Sequence, residues 1–545
     1  IQTPAIPRSI TDAKKAVSTD ILLNNTEPRK NKPIINQAKT LDFNFLLTAL
    51  AGIETVKTTH IDFNNLTLNY TSEKESLSIS VEKLSSINGN FFTQLEVKEN
   101  DLSENYFNFS GKSDKNANAL KISLYNSEKA KLHIPIIEPT HGYILKFDTL
   151  SSILSINTLL RDSIHFINKT NIHGLEVFHP KLSRESVNLD FAELNINTKI
   201  NTNQILLDTL TYATLNKLSI PIRLLYCTND STTVNIRIKK NNINAKSVFE
   251  SLPKEHFSTI QDIDVSGKLN FELYANINLD YPENLVFNSK LTPEYFEINK
   301  LSPIDFTMLN DTFTHIIYHK DSIVKSIPLN DEYSYFCRLG NISEHLINAV
   351  IISEDGGFFS HKGFDPDGFR YAMARNIKEG RLGRGGSTIT MQLVKNLFLN
   401  KHKNLIRKAE EAIIVWLIET QKLVSKERLL EIYLNIIDWG PNINGIAEAS
   451  EFYFNKKPDS IELNEAIFLA SIIPRPSKFK YSFDSLGYLR PYMENYYEFV
   501  GGTMLERNMI TEGEFENLIP NVTLKGDAKY FLEATYSGRL LGNVN

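Results

Sequence analysis

From Val265 to Leu279 the chain alternates. Val265, Gly267, Leu269, Phe271, Leu273, Ala275, Ile277 and Leu279 fall on one parity, with mostly polar residues between them. A period of two puts one set of side chains on a single face only if the backbone is extended, so this stretch constrains the fold to a half-buried strand. Shorter runs repeat the pattern: Leu66, Leu68 and Tyr70; Leu77, Ile79 and Val81; Val187, Leu189 and Phe191; Val234, Ile236 and Ile238. Asn-, Ser- and Lys-rich turns separate them. The region from Thr58 to Tyr318 therefore reads as β-dominated, with a few short helices, one of them expected between Thr149 and Ile164.

After Ser326 the period changes to that of helices. Helices are expected over Ser343–Glu354, Asp367–Lys378, Ser387–Phe398, Leu405–Lys422, Lys426–Ile436 and Asn464–Ser471, with two more between Tyr488 and Leu518. At 545 residues the chain exceeds one ordinary domain. The expected fold class is multidomain α+β. Residues 1–40, with Pro4, Pro7, Pro28 and Pro33, read as a linker or lead segment, and Leu41–Val56 as a short amphipathic helix. Residues 41–320 form the β-rich domain, 326–522 the helical domain and 523–545 a tail.

The net charge of −5 is small for this length and gives no support for nucleic acid as a partner. Cys227 and Cys337 show neither metal-ligand spacing nor a disulfide framework, and a bridge between them would cross the domain boundary. Two free, buried thiols are expected. No apolar run approaches the roughly 18 residues of a membrane span.

Four blocks in the helical region carry chemistry: EDGGFFSHKGFD from Glu354, GRGGSTITMQLVKN up to Asn396, RKAEEAIIVW from Arg407 and KERLLEIYLN up to Asn435. Glu354 leaves an apolar helix, where partial desolvation raises a carboxyl toward the range useful to a base. Taken alone, most such carboxylates are simply hydrated. Gly385-Gly386 lets the backbone approach a ligand closely, and Ser387 is placed to cap the helix that follows. Free N–H groups at that helix start favour anions such as phosphate. Arg407 and Glu411 share a face at i, i+4, and Lys408 reaches Glu411 at i+3. Glu431 and Asn435 share another face.

In order and spacing these blocks resemble the glycosyltransferase family 51 domain, the peptidoglycan polymerase module of class A penicillin-binding proteins and of monofunctional transglycosylases. The resemblance runs from Ile327 to Ile519. No Lys-Thr-Gly signature of a transpeptidase follows, so the module resembles the monofunctional type. The resemblance implies a lysozyme-like helical fold, with Glu354 as catalytic base and Glu411 as the second carboxylate of the cleft. It implies that Gly386, Ser387, Thr388, Gln392, Lys395, Asn396, Arg407 and Lys408 bind the donor's pyrophosphate or shape its pocket. Asp355, His361, Glu431, Tyr433 and Asn435 would be supports. The family usually has Gln where this chain has Met391, which removes one amide. The β-rich region is weakly similar in pattern to AsmA-like periplasmic proteins.

The implied reaction polymerises lipid II into β-1,4 glycan with release of undecaprenyl pyrophosphate. No cofactor is required; a divalent cation, Mg or Mn, is compatible with Glu411. Lipid II, lipid-linked glycan and a membrane surface are the implied partners, with other cell-wall enzymes as further candidates. The implied location is the outer face of the bacterial cytoplasmic membrane, with an N-terminal anchor helix upstream of Ile1. Two alternatives remain open: a lytic glycan-cleaving enzyme of lysozyme-like fold, and a catalytically silent scaffold whose β domain binds lipid or protein. Because every catalytic block lies downstream, a module beginning near Lys320 is expected to polymerise without the β domain. Gly363–Arg384, which mixes aromatic and basic residues, is the expected membrane-facing surface.

Overall fold

The computed structural model describes residues 62–542, apart from 72–75, 100–102, 115–117, 127–130, 134–143, 161, 320–321, 381–385 and 401–403. The lead segment and the helix expected over Leu41–Val56 lie outside the described residues. Within them, strands from Asp62 to Lys300 join in one 17-stranded sheet. Its ladder is antiparallel throughout and mostly follows chain order, ending with Thr233–Asn244, Asp264–Asn278 and Val286–Lys300 side by side. Antiparallel neighbours need only short turns, which the Asn-, Ser- and Lys-rich spacers supply.

The long alternating run is the strand Asp264–Asn278, as expected. Val265 and Leu269 are buried with Phe296 of the neighbouring strand, while Lys268, Asn270 and Glu272 take the other face. Gly267 marks a register shift in this pair. Its φ is +89°, and a Cβ there would stand 2.0 Å from the Tyr295 carbonyl oxygen, so a side chain is excluded twice over.

The helix expected between Thr149 and Ile164 is not formed. Thr149–Leu159 is a strand, bonded on one side to Ala119–Tyr125 and on the other to Ser163–Phe178. The spacing of Leu150, Ile153, Leu154 and Ile156 fits a helix nearly as well as a strand. Pairing along both edges decides between them.

A short helix, α1 (Ala245–Glu250), interrupts the sheet region. The helical region then runs α2 (Glu344–Glu354), α3 (Pro366–Glu379), α4 (Ile389–Phe398), α5 (Leu405–Thr420), α6 (Lys426–Ile436), α7 (Ile446–Phe454), α8 (Leu463–Ile472), α9 (Tyr492–Glu506), α10 (Glu512–Glu516) and α11 (Ala528–Gly542). Helix α7 was not anticipated. Residues 523–545, read as a tail, contain α11, whose Ala528 and Leu532 are buried in the main core.

That core does not stop where the sequence pattern changes. One cluster of buried apolar residues includes Val265, Leu269 and Phe296 from the sheet, Phe257 and Ile260 from the loop after α1, and the centres of α2, α4, α5, α6 and α8. The Phe296 and Trp416 rings meet edge to face at 5.0 Å. Those of Phe306 and Phe398 meet at 5.3 Å. A module cut at Lys320 would expose this shared surface, so the expectation that it stands alone is revised. Both cysteines are free, but only Cys337 is buried; Cys227 is half-buried. Burial pushes the Cys337 thiol up to about 11.

Candidate active site

Helix α2 ends at Glu354 because the next residue, Asp355, turns out of helical conformation and is drawn to the start of α4. The Asp355 carboxylate is buried; one oxygen accepts from the Ile389 N–H at 2.9 Å and the other pairs with His361 Nε2 at 2.7 Å. The positive end of α4 therefore already holds an anion, supplied by the protein. The anion at this helix start is therefore Asp355, where the sequence alone suggests phosphate.

Thr388, not Ser387, caps α4. Its hydroxyl accepts from the Met391 N–H at 3.3 Å and donates to the Gly363 carbonyl at 2.8 Å. Ser387 is freed for another contact, accepting a hydrogen bond from Lys408 Nζ at 2.9 Å. Gly386 permits a close approach, but to the protein: a Cβ would sit 2.8 Å from Phe369 Cα and 3.1 Å from its nitrogen. Gly386→Ala is therefore expected to push α3 away and to cost about 1–3 kcal/mol. Denaturant titration would detect that loss; unchanged stability would show that α3 gives way freely. Gly385 lies outside the described residues.

Along α4, Ile389, Met391, Leu393 and Val394 are buried, so the side chain in place of the family's Gln is a core residue here. Gln392, Lys395 and Asn396 share the remaining face at i, i+3 and i+4. Gln392 Nε2 donates to Glu354 Oε2 at 2.8 Å, and its carbonyl accepts from the Tyr433 hydroxyl at 3.2 Å. Burial, and then the nearby Glu354 and Asp355 carboxylates, hold the Tyr433 hydroxyl well above its ordinary pKa. It stays a proton donor, and the chain Tyr433–Gln392–Glu354 fixes how the carboxylate is presented. Lys395 is half-buried and Asn396 exposed.

Helix α5 brings the cations. Arg407 Nη1 donates to Glu411 Oε2 at 3.0 Å and Lys408 Nζ to Glu411 Oε1 at 2.5 Å. The Glu411 side chain is 2% exposed, Arg407 11% and Lys408 41%. Arg407 Nε is buried with no hydrogen-bond partner among the described residues, so the guanidinium keeps unused donor capacity. Two positive groups on one carboxylate leave a net positive cluster. Lys408 links it to Ser387 at the start of α4. Each Glu411 oxygen is already taken by a cation. Among the described residues no group of three His, Cys, Asp or Glu side chains converges.

Helix α6 supports the segment that leads into α2. Asn435 Oδ1 accepts from the Cys337 N–H and its Nδ2 donates to the Cys337 carbonyl, both at 2.8 Å, reproducing one rung of a sheet. Glu431 accepts from the Leu339 N–H at 2.8 Å and from Arg428 at 2.5 Å. Sequence reading missed three contributors. Glu419 accepts from the Thr390 hydroxyl at 2.5 Å and pairs with Lys426 at 2.6 Å, tying α4, α5 and α6 together. Asn404 caps α5 through Arg407 N at 2.7 Å; its position before an apolar helix was a legible signal. Glu410 had none, since its partner is far away in the chain.

Comparison with known proteins matches residues 320–490 to the model of a family described as Transglycosylase. The chain is 38% identical over 178 residues to a protein named biosynthetic peptidoglycan transglycosylase from Acinetobacter baylyi, covering 33% of this chain and 74% of that one. A relative of the same name from Acinetobacter baumannii is 39% identical over 177 residues, covering 32% and 73%. One from Methylobacillus flagellatus is 42% identical over 149 residues, covering 27% and 64%.

Proposed function

The chain belongs to the peptidoglycan transglycosylase family, a β-rich region followed by a helical transglycosylase domain, and from that premise we propose how it works as a peptidoglycan glycosyltransferase. The observation that carries the reading is two hydrogen-bonded groups that meet the same helix, α4. Gln392, with Tyr433, holds the Glu354 carboxylate, and Ser387, just before the helix, accepts from Lys408 of the Arg407–Lys408–Glu411 cluster.

The acceptor is lipid II. Its GlcNAc 4-hydroxyl attacks the anomeric carbon of the lipid-linked glycan, and Glu354 takes the hydroxyl proton. The bond to undecaprenyl pyrophosphate breaks with inversion. Arg407 and Lys408 neutralise the departing pyrophosphate, and Lys395, on the Gln392 face of α4, adds a third cation. Glu411 holds the first two cations in place, and no step needs a metal ion. Asp355 with His361, and Glu431 with Asn435, brace the two ends of α2. The helical region is read as lysozyme-like. A cleaving enzyme would also need an acid at Glu354, but it gives no reason for paired cations on α5.

Incubation of the full chain with lipid II tests the reading. Growth of a glycan ladder is expected; cleavage of preformed glycan without polymer would instead support a lytic enzyme.

The enzyme works outside the cytoplasm, on cell-wall precursor. No helix among the described residues is long and apolar enough to cross a membrane. We propose α3 and the loop before it as a surface that meets the bilayer. Phe364 and Tyr371 are exposed there. Phe369 is exposed as well, although its ring packs on Phe287 of the sheet at 4.7 Å. Arg370 pairs with Asp367 and Arg375 with Glu379, which weakens the basic character read from the sequence. Binding to anionic liposomes is expected to fall with salt, by about 1 kcal/mol for each engaged cation lost. It should fall further in a Phe364→Ser, Tyr371→Ser variant. Salt-insensitive binding that survives both changes would move the contact elsewhere.

A further inference from the structure

The geometry points to the β-rich domain as a working part of the polymerase: two of its loops form a socket that fixes the first turns of α5, with Glu410 and His256 as positioning residues. The inference rests on the polymerase reading, because α5 carries Arg407, Lys408 and Glu411.

The first N–H groups of a helix have no partner within the helix. In α5 two of them are taken by the β domain. Leu405 N donates to the Lys181 carbonyl at 2.9 Å and Ile406 N to the Leu182 carbonyl at 3.2 Å. The third, Arg407 N, goes to the Asn404 cap. The loop at 179–186 thus closes the helix start and fixes its position along its own axis.

A second loop fixes its rotation. Glu410 is buried and accepts from the Thr259 N–H at 3.0 Å. Among the described residues it has no ion-pair partner, and burial pushes its carboxyl above the ordinary range. Such a group adds little stability as a charge; its use is as an acceptor of defined direction. Glu410 is the immediate neighbour of Glu411, about 100° around the helix. Turning Glu410 away from Thr259 turns the whole Arg407–Lys408–Glu411 cluster, which rides on the same helix, away from Ser387 at the start of α4.

His256 ties the two loops into one body. Its Nε2 lies 3.0 Å from the Ser186 carbonyl, which can only accept, so Nε2 carries the proton. In the neutral ring Nδ1 then accepts from the Ser183 hydroxyl, 3.2 Å away. Phe257 and Ile260, on the same loop as Thr259, are plugged into the shared core. Three anchors on the first turns of one helix leave it little freedom. A tether that merely places the enzyme would not need them.

Full-length Glu410→Ala, His256→Ala and Glu410→Gln proteins test the socket by amide hydrogen exchange over residues 405–411, by lipid II kinetics and by melting temperature. Glu410→Ala and His256→Ala are expected to speed exchange at those amides about tenfold or more. Misplaced cations should lower kcat about ten- to a hundredfold while melting changes little. Glu410→Gln keeps an acceptor for Thr259 and should stay within about twofold of the parent in both readouts. Parental exchange and parental kcat in Glu410→Ala and His256→Ala would overturn the socket. If the parent makes no polymer while exchange still rises in both variants, the socket stands and the polymerase reading falls.

Discussion

Glu354→Gln is expected to lower lipid II polymerisation by about 10²–10⁴-fold, the usual worth of a positioned general base. The fold should not suffer. Gln is nearly the same size, and its carbonyl can still accept the Gln392 hydrogen bond that Glu354 Oε2 accepts at 2.8 Å. Only the capacity to take a proton is lost. Unchanged melting and unchanged lipid II binding, with polymer absent, would complete the expected pattern. Polymerisation within about tenfold of the parent would remove Glu354 from the proton-transfer role.

The second large effect separates two neighbours. Arg407→Ala removes a nearly buried partner from Glu411, whose carboxylate is 2% exposed. Breaking such a pair costs about 3–5 kcal/mol when the remaining charge is left alone. Lys408 stays on Glu411 Oε1 and holds the cost toward the lower end. Lys408 is 41% exposed, and an exposed pair is worth only about 0–1 kcal/mol. Lys408→Ala should therefore melt close to the parent yet use donor poorly, whereas Arg407→Ala should lose both stability and donor use. Steady-state kinetics alongside denaturant titration reads the two effects apart. Parental kinetics in Lys408→Ala would return that side chain to a solvated helix face.

Much of this was legible because it is local. The i, i+3 and i+4 spacings on α5 do form the Arg407–Lys408–Glu411 cluster, and the alternation after Val265 does form a strand. What escaped depends on contacts between distant segments. The sequence points to Ser387 as the cap of α4. The choice falls to Thr388 because the Gly363 carbonyl engages its hydroxyl while Lys408 claims Ser387. Gly386 looked like a place for ligand and is a place for α3. The Thr149–Ile164 segment fits two periods and is settled by strands on either side. Glu410 reads as one more charge on a helix. Its acceptor role depends on Thr259, 151 positions earlier.

The apolar cluster that runs from Val265 and Phe296 to Trp416 and Phe398 also has a genetic consequence. Lesions that cripple catalysis are not confined to codons of the four motifs. A polar substitution at Phe257, Val265 or Phe296 undermines the seat of α5 from beneath, and a screen for failed cell-wall synthesis would recover it alongside changes at Glu354. A mutational map of this protein should therefore show a second band of intolerant positions between residues 243 and 309. Those positions carry no chemistry of their own.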